Sequence, residues 1–322
     1  MANTRIHVFH TGEVCVSPNL PFGGDHCNPI KASGVFESAD TRLWLPVSAY
    51  LIEHPKGRFL VDTGWARDMS PKGEFDKKAQ IKSLGSWVLY KVNQGRIPMG
   101  ECIDEQLAKL GLKDSDLDAV LITHLDCDHA NGLKQVKGAK KFLVASDEVK
   151  FAKKHPERYY KGWWKDILLS PFDWNDTLGP AGKSCDLVGD GSIELINIPG
   201  HADGLFAVKV KNDEGKFVLL FSDGGYARKS WEQRITSGIA ADKKAQKGDV
   251  FRVTLSCCLV VYQLAQNVFL CAYSDTAHAP DPFHLIACLE RFGHDFAGCF
   301  IKPSFFILSA IADGDRFNMF AM

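Results

Sequence analysis

The feature that most restricts this chain is a seven-residue segment, Thr123-His124-Leu125-Asp126-Cys127-Asp128-His129. It follows directly on Ala119-Val120-Leu121-Ile122, a short apolar run with the composition of a buried strand. Four potential metal ligands, His124, Asp126, Asp128 and His129, therefore stand within six residues at a strand end. A turn there sends His124 and Asp126 one way and Asp128 and His129 the other, so one short loop can serve two adjacent metals. The competing reading is a capping turn that happens to be polar. Cys127 alternates away from the ligand positions and reads as packing.

Two later strand ends repeat the device. Pro199-Gly200-His201 follows the run from Ile193 to Ile198, and Ser222-Asp223-Gly224-Gly225-Tyr226 follows the strand-like Phe217 to Phe221. A lone His or Asp in such a turn is most often structural; three acid or histidine sites, each at a strand end, are harder to dismiss. Further strands are predicted from Ile6 to His10, Val47 to Glu53, Arg58 to Val61, Phe142 to Ala145 and Phe206 to Val210, with Gly215 turning the chain after the last. Arg58 to Val61 runs into the turn Asp62-Thr63-Gly64. Cys102 to Leu110 has helical spacing, with Ile103, Leu107 and Leu110 on one face and Gly111 as a stop. Ser146 is predicted to cap a helix from Asp147 to Lys154, and Lys229 to Lys247 to be helical, interrupted at Gly238. Strands in series with helices indicate a layered α/β architecture. The pentapeptide DKKAQ occurs twice, beginning at Asp76 and at Asp242.

Composition narrows the partners. A chain of 322 residues has room for one large domain or two small ones. A net charge of −1 and a pI near 6.8 speak against nucleic acid or an anionic membrane as the partner. The first residues show no secretory pattern, so a cytoplasmic location is the expectation. Ten cysteines without a CxxC pair fit reduced thiols better than a disulfide framework or a zinc knot. After Lys247 the character changes: residues 248–322 carry 11 of the 77 charged residues but five of the ten cysteines, and Val253 to Tyr273 has no charge. That run is long enough to cross a bilayer, which needs about 20 residues. Ser256, Gln263, Gln266 and Asn267 suit a buried helix or strand pair better. A third reading makes the tail a gene-model artefact. The division is therefore residues 1–247 as the main domain and 248–322 as an anomalous segment, completing that domain or foreign to it.

The set VDTG at Val61, THLDCDH at Thr123, PGH at Pro199 and SDGGY at Ser222 resembles the metallo-β-lactamase superfamily, and within it the N-acyl-homoserine lactonase group. The resemblance runs from about Arg5 to Lys247 and implies an αββα metallo-β-lactamase sandwich with metals at one edge between the sheets. It implies that His124, Asp126 and His201 hold a first divalent ion, that Asp128 and His129 hold a second, and that Asp223 bridges both. Tyr226 would contact the substrate carbonyl or help the leaving group, and is counted with Asp128 among the catalytic residues. Asp62 would orient ligands without binding metal. The sequence departs from the family twice. The family usually has His where Asp126 stands; a carboxylate favours iron or manganese beside zinc. Flavodiiron proteins also use a carboxylate there, but nothing in this chain resembles their flavin domain. The last ligand of the second metal, a C-terminal His in the family, falls on His278, with His284 and His294 as weaker candidates.

The implied activity is hydrolysis of a small lactone or lactam by a hydroxide bridging two metals, zinc in the first instance. Some fungal relatives look like lactamases acting on an aromatic cyclic carbamate such as benzoxazolinone, a detoxification activity. Phe22, Trp44, Trp65, Trp163, Trp164 and Trp174 are available to line a pocket for such a ring, although at least half of them are expected in packing. Thioester hydrolysis would use the same site, whereas a nuclease would be expected to carry a basic surface. A degenerate, inactive chain is the non-enzymatic reading.

Overall fold

The computed structural model describes residues 4–212, 217–227, 229–230, 233–248, 262–263 and 268–271. Seven strands form one sheet: β1 (Arg5–Val16), β2 (Leu43–His54), β3 (Gly57–Val61), β4 (Gln94–Arg96), β5 (Ala119–Ile122), β6 (Phe142–Ala145) and β7 (Leu169–Phe172). Their order is β4-β1-β2-β3-β5-β6-β7. The second sheet holds β8 (Ser184–Asp186), β9 (Ile193–Asn197), β10 (Phe206–Lys211), β11 (Phe217–Leu220), β12 (Tyr262–Gln263) and β13 (Val268–Cys271), in the order β12-β13-β11-β10-β9-β8. Beyond residue 247, β13 pairs antiparallel with β11.

Side-chain alternation shows why these runs become strands of a sandwich. In β2, Tyr50 and Ile52 join one apolar cluster and Ala49 and Leu51 another; in β5, Ala119 and Leu121 part from Val120 and Ile122 in the same way. The first cluster lies between the sheets, where it meets Leu195, Phe206, Val208 and Leu220. The second packs the outer face of the seven-stranded sheet under helices that contribute Leu84, Ile103, Leu107 and Phe151. Strands β3, β5, β6 and β7 are parallel neighbours. β5 is buried at every residue and β6 at all but Leu143, which explains their uninterrupted apolar sequences, whereas β7 at the sheet edge is half-buried and mixed in composition.

This topology sets the site. Val61 pairs with Leu121 in parallel register, so Asp62 and Thr123 leave the sheet side by side. In the other sheet β9 and β11 both pair antiparallel with β10, so His201 and Asp223 follow strands that end at a common edge. A hydrogen bond of 2.8 Å between the Thr123 and Ser222 hydroxyls ties the two sheets there.

Several local expectations change. Residue 145 is the helix N-cap, with Ser146 in the first turn of Ser146–Lys154 and no side-chain cap bond. The segment from Lys229 to Lys247 is helical only at 229–230 and 243–247 among its described residues; the described chain between runs through turns and bends, with Gly238 bonded to the Leu20 carbonyl and Asp242 to the Gly200 carbonyl. The helices Lys77–Leu84 and Trp87–Val92 and the strands β4, β7 and β8 were not expected. DKKAQ acquires a physical account. In both copies the Asp accepts from the backbone amide three residues on, at 3.0 Å for Asp76 and 2.9 Å for Asp242. In both the Gln is buried and grips another segment's backbone: Gln80 the amide and carbonyl of Gly95, Gln246 the Ser237 amide and the Asp223 carbonyl. Gly215 lies outside the described residues.

Candidate metal centre

The VDTG turn takes Asp62 through a left-handed conformation (φ 58°) and Gly64 through another (φ 62°). A side chain at Gly64 would meet Thr11 Oγ1 at 1.8 Å, so only glycine fits. The strained Asp62 is held by three bonds. The Thr123 amide and hydroxyl donate to its two carboxylate oxygens, each at 2.8 Å, and His129 Nδ1 lies 2.8 Å from Oδ2. As the acceptor is a carboxylate, Nδ1–H of His129 is the donor and its Nε2 faces the site; burial pulls the His129 pKa down, but Asp62, Asp223 and Asp128 outweigh it and hold the ring well above the ordinary imidazole value.

The other two histidines are arranged alike. His124 Nδ1 lies 3.1 Å from Thr123 Oγ1, and its fully buried Nε2 has no hydrogen-bond partner. Burial, aided by the nearby His129, pushes the His124 pKa down to about 4, so the ring is neutral at pH 7 with that lone pair available. His201 Nδ1 lies 3.1 Å from the Tyr226 hydroxyl, leaving its Nε2 toward Asp126. Asp223 faces both groups: Oδ2 is 3.9 Å from His124 Nε2 and 3.5 Å from His201 Nε2, and Oδ1 is 3.3 Å from His129 Nε2. Burial pushes the Asp223 carboxyl up, and His129, His201 and His124 together outweigh it and hold it below the ordinary carboxylate range. Asp128 Oδ2 is 3.9 Å from His129 Nε2, and burial raises its carboxyl to about 6.

These atoms fit a pair of divalent ions. His124, Asp126 and His201 form one compact group of potential ligands, and His124, His129 and Asp223 another. Around the first, neighbouring ligand atoms are separated by 3.4, 3.9, 2.8 and 3.5 Å. Metal–ligand bonds of about 2.0–2.1 Å in a tetrahedron give edges of about 3.3 Å. An orphaned buried nitrogen and surplus carboxylates (Asp62, Asp126, Asp128 and Asp223 around one guanidinium, Arg158) call for cations. The structure thus brings together His124, Asp126, His129, His201, Asp223 and Tyr226, with Asp128 beside His129 but in neither triad. His278, His284 and His294 lie outside the described residues.

Two residues escaped sequence reasoning. Arg158 grips Asp126 with both ends of its fork, Nε to Oδ1 and Nη2 to Oδ2, each at 2.6 Å. Burial, then the Arg158 charge, act in opposite directions on the Asp126 carboxyl, and it rests well below the usual range. Glu148, fully buried, accepts from the Leu125 amide at 2.9 Å and the Gly204 amide at 3.3 Å, joining the two ligand loops. The helical face Glu148, Phe151, Ala152 is buried throughout, so a Glu in an apolar slot was the available signal. Cys127 is buried in the core, as expected. Of the aromatics, Trp65 and Trp163 are core, Trp164 packs against it, Trp174 meets Phe172 and Phe206 edge to face, Arg96 covers Trp44 and Lys229 covers Phe22. No helix among the described residues is long and apolar enough to cross a membrane.

Comparison with known proteins agrees with this geometry. Residues 42–218 match the family model for the metallo-beta-lactamase superfamily. The chain is 28% identical over 201 residues to an N-acyl homoserine lactonase, AttM, of Rhizobium radiobacter, covering 61% of this chain and 72% of the relative. It is 30% identical over 194 residues to the N-acyl homoserine lactonase AiiB of Agrobacterium fabrum, covering 56% and 64%. The fold superposes with a TM-score of 0.60 and 20% identity on an N-acyl homoserine lactone hydrolase carrying the product N-hexanoyl-L-homoserine at its catalytic metal centre, over 79% of this chain and 88% of that one. The two sheets with flanking helices are thus an αββα sandwich of this type.

Proposed function

The chain belongs to the metallo-β-lactamase superfamily, and on that footing we propose that it is a two-metal hydrolase that opens the ring of a small lactone. The observation that carries the reading is the convergence of three histidine Nε2 atoms on the two oxygens of Asp223. His124, Asp126 and His201 would hold one divalent ion and His129 and Asp128 the other, with Asp223 shared. Zinc is the first expectation, and the Asp126 carboxylate widens the choice to iron or manganese. Bound ions would supply a nucleophile from water at neutral pH and polarise the substrate carbonyl.

The protein's own groups do the rest. Asp62, Thr123 and Tyr226 fix the ring orientation of the three histidines. The half-buried Tyr226 phenol, its pKa raised well above the ordinary value first by desolvation and then by Asp223, stays protonated and can donate to the developing oxyanion. Asp128, beside His129 at the second position, would take the proton released as water adds and return it to the ring oxygen as the C–O bond breaks. The relatives' name supports an N-acyl homoserine lactone as the first substrate to try. The packed aromatics Trp65, Trp163 and Trp174 offer a flat aromatic carbamate nothing comparable.

The test is a titration of acid released from N-hexanoyl-homoserine lactone, γ-butyrolactone and benzoxazolinone by zinc-loaded protein. Lactone opening that disappears with chelator and in Asp223→Ala is expected. Failure of the metal-loaded protein to open any of the three would overturn the proposal.

A further inference from the structure

We propose that Arg158 is a built-in cation that competes for the first metal position and keeps its affinity below that of the second. The proposal rests on the two-metal reading. Arg158 Nη2 lies 2.6 Å from Asp126 Oδ2 and 2.7 Å from His201 Nε2, and those two atoms are 2.8 Å from one another. They are the atoms offered to the first ion. The His201 Nε2 lone pair cannot serve Nη2–H and a metal together, so loading this position means breaking that bond.

The guanidinium has little freedom to withdraw. Nε occupies the second oxygen of Asp126 at 2.6 Å, Nη1 donates to the His201 carbonyl at 3.0 Å, and the rings of Phe151 and Tyr159 flank it at 5.8 and 5.3 Å. Its side chain is only 19% exposed, so solvent screens it weakly against an incoming dication. The second position has no permanent cation of this kind: among the described residues, the ion pairs of Asp128 and Asp223 are with histidines alone, which can give up a proton to a metal as a guanidinium cannot. The Asp126–Arg158 pair is also formally neutral. The pair thus carries the net charge of the neutral histidine that the family usually places at position 126, while supplying a harder oxygen ligand.

The experiment is equilibrium dialysis of the full chain against buffered zinc, counting ions per chain in the natural protein, Arg158→Met and Arg158→Lys. The natural protein should load in two steps. In Arg158→Met the weaker step should tighten about tenfold or more, with the tighter step unmoved. Arg158→Lys keeps the charge and should stay near the natural protein. If Arg158→Met does not fold, Arg158→Gln replaces it. A first position that weakens or stays unchanged in the neutral variant makes Arg158 a positioning residue and overturns the proposal, as does a Lys variant that tightens equally. Failure of every protein to bind zinc overturns the two-metal reading itself, and this proposal with it.

Discussion

At the level of single residues, the centre depends on groups that hold ligands by the back. Each of the three histidines is tied at Nδ1, and in each case the tie leaves Nε2 for the site. Asp62 carries the heaviest share, holding His129 directly and fixing Thr123, which in turn meets His124 and Ser222. Asp62→Asn keeps the shape but gives His129 a neutral acceptor. Zinc affinity, read by competition with a chromophoric chelator, should fall about 10–100-fold, the usual consequence of losing such support. An unchanged affinity would remove Asp62 from the account. The proposed ligands stood out in the sequence because four of them sit in one heptapeptide and two follow strand ends. Arg158 was not, since it stands in an irregular stretch 32 residues after its partner and nothing local marks a guanidinium that reaches back.

At the level of elements, the ligand loops need fastening to one another, since each merely leaves a strand. Glu148 does this from the first turn of its helix, accepting one amide from each loop, while Gly204 packs so closely that a Cβ would meet the Glu148 amide nitrogen at 2.2 Å. Glu148→Ala should cost about 1–3 kcal/mol for each buried amide left without an acceptor, and lower the Tm accordingly. Glu148→Gln retains one acceptor and should lose less. Equal Tm values for Glu148→Ala and the natural protein would show that the loops are held otherwise. Strands with strong apolar runs, such as β5 and β6, were legible for the same reason they are stable: burial on both faces selects a continuous apolar sequence. The short β4 and β8 depend on pairing with a longer neighbour, and the helix Trp87–Val92 on the Ser86 side chain capping Val88 and Leu89, so their own sequences carried little signal. The segment from Lys229 misled because helical spacing there competes with the grip of Gln246 on Ser237 and Asp223.

At the level of the whole molecule, the site exists because two sheets end at one edge, and the apolar layer between them keeps those ends in register. Leu195, fully buried opposite β2 and β5 residues of that layer, is a direct probe. Leu195→Ala should destabilise the fold by about 2–5 kcal/mol, measured by denaturant unfolding. A loss well under 1 kcal/mol would mean that the sheets do not share that core. The division of the chain at residue 247 stays a proposal, although β13 lies beside β11 and the sheet therefore takes in residues from beyond it. The central claim is that this edge builds a centre for two ions, and the most direct measurement is the number of ions bound per chain after dialysis against saturating zinc, by elemental analysis. Two are expected, with both lost or greatly weakened in Asp223→Ala. A plateau at one or none, or an Asp223→Ala chain that still binds two, would contradict it.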